Sequence, residues 1–60
     1  MSTLTADEKN TARRIRATMD KAGRLKDADA FRALCSASRK QHGEDRHEAI
    51  KWNALHMKAS

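Results

Sequence analysis

Four side chains in this sequence belong to the types that ligate metals or serve nucleophilic chemistry: Cys35, His42, His47 and His56. Structural zinc is held by close pairs such as C-x2-4-C or H-x3-5-H presented on one turn or helix. His42 and His47 have four residues between them, but Gly43 falls in that gap and a turn there takes the two rings off a common helical face. Cys35 and His42 stand seven apart and align on a helix, where a small buried thiol and an imidazole near a helix C-terminus account for them without a metal. His47-Glu48 lacks the second histidine of an H-E-x-x-H arrangement, since Lys51 occupies that position. A Cys35/His42 nucleophile and base would also need an orienting group and a concave pocket, for which a chain this short has little room. The expectation is a non-enzymatic protein with no catalytic residues, no metal, no cofactor and no small-molecule substrate.

The remaining chemistry is charge. Thirteen Lys and Arg against eight Asp and Glu give a net charge of +5 and a sequence pI near 10.0, a balance that favours acidic partners such as nucleic acid, an anionic membrane or an acidic protein face. Arg13, Arg16, Arg24, Arg32 and Arg39 would form a basic stripe able to neutralise phosphates if the edges of the first two helices met. Asp20 and Asp29 interrupt that stripe, and no aromatic residue lies among its members to stack on a base.

The elements that must position these residues are helices. Val and Tyr are absent and there is a single Phe, whereas Ala, Lys, Arg, Glu and Asp abound, so strand formers are scarce and an all-α fold is expected. Thr5 with Glu8 makes a capping box, and the first helix is expected over 6–22, with Ala12, Ile15, Met19 and Ala22 as its apolar stripe and Gly23 as its C-terminal stop. The second is expected over 27–42, started by Asp27 or Lys26, with Ala28, Phe31, Leu34, Cys35, Ser38 and His42 on one arc and Gly43 at its end. Asp45 with Glu48 repeats the N-cap logic for a third helix over 46–58, with Lys58 near its negative end. The expected architecture is one small three-helix domain over residues 1–60.

The third helix is the best clue to function. Ile50, Ala54 and Met57 fall on one side and Trp52, Leu55 and Ala59 roughly opposite. A three-helix monomer can bury one set only, so the other should face a partner. Taking Trp52 as the exposed member gives an interface of Trp52, Leu55, Ala59, Ala49 and His56; taking it as core exposes Ile50 and Met57 instead. Large apolar residues are few, and stability in a chain of this size is marginal, which points to an oligomer or a partner-stabilised unit.

Two fragments bear comparison with known helical families and depart from both. Gly23 to Cys35 and Glu48 to Leu55 resemble the second helix of tetratricopeptide-type repeats, which bind proteins, but the period here is about 20 rather than 34 residues. Ala12-Arg13-Arg14-Ile15-Arg16 followed by Asp27-Ala28-Asp29 and Cys35 resembles the small helical-hairpin plasmid copy-number regulators, which bind paired RNA loops, and Gly23, Gly43 and a third helix with Trp52 depart from their two-helix pattern.

The lone Cys35, the acidic N-terminal segment without an apolar run, and the lack of a membrane span lead to a cytoplasmic expectation. The primary functional reading is a regulatory or inhibitory protein-binding module or homodimer docking through the third helix; an accessory protein of a phage or other mobile element would suit an Ala- and Arg-rich chain of this length. The second reading is a small basic nucleic-acid-binding protein using the arginine stripe.

Overall fold

The computed structural model describes residues 3–57 and consists of three helices, α1 (Ala6–Arg16), α2 (Ala28–His42) and α3 (Glu44–Leu55), each in contact with the other two. The all-α three-helix reading is what the chain adopts. None of these helices is long and apolar enough to cross a membrane.

Local chemistry sets two of the starts as the sequence indicates. The Thr5 hydroxyl accepts from the Glu8 N–H at 3.2 Å while the Thr5 N–H donates to Glu8 Oε1 at 2.8 Å, the reciprocal pair of a capping box. Asp27 caps α2 by accepting from the Ala30 N–H at 3.1 Å.

The end of α1 is a correction. The helix stops at Arg16, six residues before the expected boundary at 22, and Gly23 lies in a loop rather than at its C-terminus. Thr18 explains the stop: its hydroxyl donates to the Ile15 carbonyl at 2.6 Å, and its own carbonyl accepts from the N–H groups of Lys26 and Asp27. A hydroxyl residue that bonds its own helix end offers the backbone an alternative to continuing the ladder. Met19 and Leu25 then pair as an isolated antiparallel bridge, Gly23 takes φ +82 at the turn between them, and Ala22 is exposed instead of joining the core. Ala28, expected on the inner arc of α2, is exposed as well.

The start of α3 is a second correction. Gly43, at φ +88, both ends α2 and precedes α3, which begins at Glu44 with no side-chain cap. Asp45 is therefore the second residue of the helix and not its N-cap. Glu44 and Asp45 still lie in the first turn, where carboxylates suit the helix dipole. Lys58 lies outside the described residues.

Long-range contacts give the topology. Glu8 meets Arg46 near the N-termini of α1 and α3, and Arg16 reaches the Leu55 carbonyl near their C-termini. These two helices therefore run in the same sense. α2 runs against them, because His42 at its end meets Thr11 on α1 (3.3 Å) and Ser38 meets His47 (2.9 Å). The core is Ala12, Ile15, Met19, Cys35, Ile50 and Ala54, with Leu4, Phe31, Leu34 and Met57 packed against it. Ile15 and Ile50 are its largest fully buried apolar side chains, and burying each contributes about 1.5–3 kcal/mol.

Candidate interaction surface on the third helix

α3 buries one face completely. His47, Ile50 and Ala54 have no exposed surface, and Met57 is half-buried beside them. The opposite side carries Asp45, Glu48, Trp52 and Leu55, all exposed and spaced three, four and three apart, so that they form one strip along the helix. Trp52 is 65% exposed and Leu55 42%. Trp52 and Leu55 stand one helical turn apart and so expose their apolar surface side by side.

Of the residues expected at an interface, the structure places Trp52, Leu55 and His56 together on the outer side, puts Ala49 half-buried on its flank, and leaves Ala59 outside the described residues. His56 is held in place. Its ring centroid lies 3.9 Å from that of Trp52 at 32° between planes, and its Nδ1 hydrogen-bonds the Trp52 carbonyl at 3.0 Å. The two rings make a single platform at the end of the helix.

The helix is polarised along its length. Glu44, Asp45 and Glu48 occupy its first half, whereas residues 51–57 contain no carboxylate. No basic residue lies in the last turn; a cation arrives there from α1, where Arg16 donates through Nη1 to the Leu55 carbonyl (3.4 Å) and through Nη2 to the Lys21 carbonyl (3.3 Å). A guanidinium at this place satisfies an orphan carbonyl and complements the negative end of the dipole. It also lies over Gly23, whose missing Cβ would come within 3.1 Å of Nη1.

Three arginines of the expected nucleic-acid stripe carry ion pairs with nearby carboxylates. Arg24 pairs with Asp20 (3.0 Å), Arg32 with Asp29, and Arg39 with Glu44 (3.2 Å). Arg13 and Arg16 lie on α1 with Lys9 and Arg14, and among the described residues none of these four meets a carboxylate within ion-pair distance.

The histidine and cysteine set also separates. His47 is fully buried and bonds Ser38 Oγ through Nδ1, while its Nε2 is buried without a hydrogen-bond partner among the described residues. Burial pushes its pKa down, helped by the nearby cations of Arg39 and Lys51, so the ring is neutral at pH 7. Ser38 and His47 are adjacent but sealed, at 1% and 0% exposure, so the pair offers no nucleophile to a substrate in this conformation. Cys35 is buried too, and desolvation pushes its thiol pKa up. Among the described residues no three His, Cys, Asp or Glu side chains gather as a metal site would require.

One site escaped sequence reasoning. Glu8, the capping-box residue, is also the buried partner of Arg46: Nε of Arg46 donates to its Oε2 at 2.6 Å and Nη2 to its Oε1, a bidentate pair. These bonds, with the Thr5 backbone N–H, hold its carboxyl well below the usual range, at about 2. The only local signal was the capping box itself, since the two partners stand 38 positions apart.

No protein-family model matches this sequence, and no curated protein or solved structure is significantly similar to it.

Proposed function

We propose that this chain is a non-enzymatic regulatory or inhibitory protein-binding module whose partner covers the outer face of α3, with Trp52 as the anchor. The observation that carries the reading is a tryptophan 65% exposed on a helix whose other face is fully buried. Tryptophan and arginine are the residue types that dominate binding energy at interfaces, and here Arg16 stands at the same end of α3 as Trp52.

The test uses the intact chain and its Trp52→Ala variant as matched baits, with circular dichroism confirming equal helicity. Proteins held by the native chain and released by the variant support the reading, as does a blue shift of Trp52 emission on adding the recovered partner; the chain has one Trp and no Tyr, so that emission reports this position alone. Binding that survives Trp52→Ala unchanged overturns it.

The second reading, nucleic-acid binding, rests on a narrower basis than five arginines: the row Lys9, Arg13 and Arg16 on α1, whose members meet no carboxylate among the described residues. A salt titration separates the two, because Arg13→Ala should then lower the slope of log affinity against log salt by about one phosphate contact. Absence of binding at low salt removes that reading.

A further inference from the structure

The outer strip of α3 has a symmetry of its own. Asp45 and Leu55, and likewise Glu48 and Trp52, stand at equal distances on either side of position 50, and the helix that bears them runs from Glu44 to Leu55, so its centre nearly coincides with that of the strip. A second α3 laid antiparallel on this face overlays the whole helix, about 18 Å at 1.5 Å per residue, and brings Asp45 opposite Leu55 and Glu48 opposite Trp52 from both sides at once.

Charge follows the same symmetry. The acidic first half of the strip would lie on the carboxylate-free second half of its neighbour, where the Arg16 guanidinium sits 3.4 Å from the Leu55 carbonyl. The Trp52 indole N–H, a donor only, would face the Glu48 carboxylate, and the two helix dipoles would oppose. A parallel pairing would instead set Asp45 on Asp45 and Glu48 on Glu48. An acidic protein or a nucleic acid would meet those same two carboxylates, at one end and within the surface it had to cover, so the strip suits a copy of itself better than a uniformly acidic ligand.

Resting on the reading of this face as a protein-docking surface, we infer that its occupant is a second copy of this chain, in an isologous two-fold dimer with the α3 helices antiparallel and reciprocal Asp45–Arg16 ion pairs at both ends. One helix face is a small interface, at the low end for specific complexes, so the dimer is a reversible one.

The experiment is sedimentation equilibrium of the full chain under reducing conditions, from micromolar to millimolar concentration, with Trp52 emission followed in parallel. The expected result is a monomer–dimer equilibrium accompanied by a blue shift that tracks the dimer fraction, weakened roughly 30-fold or more by Trp52→Ala, as the loss of a hot-spot aromatic implies. Asp45→Lys and Arg16→Glu should each weaken self-association, since each places like charges at both ends, and mixing the two variants one to one should restore it, since both ion pairs are then regained. Restoration by mixing is an effect that a merely structural role for Arg16 would not produce. A chain that stays monomeric with unchanged emission overturns the inference while leaving the docking face to the bait experiment above. A dimer indifferent to Trp52→Ala, or one that the mixed charge variants fail to restore, overturns it as well.

Discussion

The two faces of α3 carry comparable apolar bulk and differ in everything else. On the inner side Ile50 and Ala54 are fully buried against α1 and α2, and even the polar His47 is buried, with one nitrogen unpartnered among the described residues. On the outer side Trp52, the largest side chain in the protein, remains mostly in water. Burying Trp52 rather than Ile50 would remove more apolar surface, so burial area alone does not decide which face turns inward. The polar neighbours do. Asp45 and Glu48 share the face with Trp52, and turning it inward would desolvate both carboxylates, of which only Glu48 has an ion-pair partner among the described residues, Lys51 at 3.8 Å, at a cost of several kcal/mol. Turning Ile50 and Ala54 inward buries one imidazole, which Ser38 partly satisfies.

The sharpest break of that comparison is Ile50→Ala, expected to destabilise by about 2–5 kcal/mol, enough to unfold much of a domain this small. Urea unfolding measures it, and a loss below 1 kcal/mol would deny Ile50 its place in the core.

Acid should act on the inner side next. Unfolded His47 takes up a proton near the ordinary value of 6.5, whereas the buried ring has a lowered pKa, so stability is full above that value and declines as pH falls through it. Glu8 adds a second decline of the same sign: ordinarily 4.5 and held at about 2 in the fold, it contributes fully above pH 4.5 and loses its contribution between 4.5 and 2. The thermal midpoint should therefore fall in two stages on acidification, and His47→Gln should flatten the upper one. A midpoint constant from about pH 7 to 4 would contradict the burial of His47.

A smaller effect is expected from Thr5→Ala, which removes the cap acceptor of α1 and should cost about 0.5–2 kcal/mol in the same unfolding assay. The smallest is Trp52→Ala, within about 0.5 kcal/mol for the monomer. Should Trp52→Ala destabilise dilute monomer as much as Ile50→Ala, the distinction between the two faces collapses.

What could be read from the sequence was local. Thr5 with Glu8, Asp27 before α2 and the break at Gly43 each announce themselves within three or four residues, because caps and positive φ are short-range chemistry; Gly23 marks a positive-φ turn but not the end of α1. The two faces of α3 could be drawn from periodicity, but choosing between them required knowing that the carboxylates travel with Trp52. The early end of α1 depends on Thr18 bonding to Lys26 and Asp27, and on Met19 pairing with Leu25. No periodicity encodes such pairings. The Glu8–Arg46 pair and the Arg16 clasp on the C-terminal end of α3 join residues 38 and 39 positions apart, beyond the reach of any local signal.

Cys35 gives the protein a clock. Its thiol is buried and held protonated by burial, and with no second cysteine in the chain it has nothing to pair with internally. A disulfide reagent can therefore reach it only when α2 moves away from its neighbours, so the labelling rate counts those openings. At low reagent concentration the rate follows the equilibrium population of the open form; at high concentration it saturates at the opening rate itself. The same exposure governs ageing in air: two opened molecules can join through Cys35, and a covalent pair formed that way would record how often the core breathes.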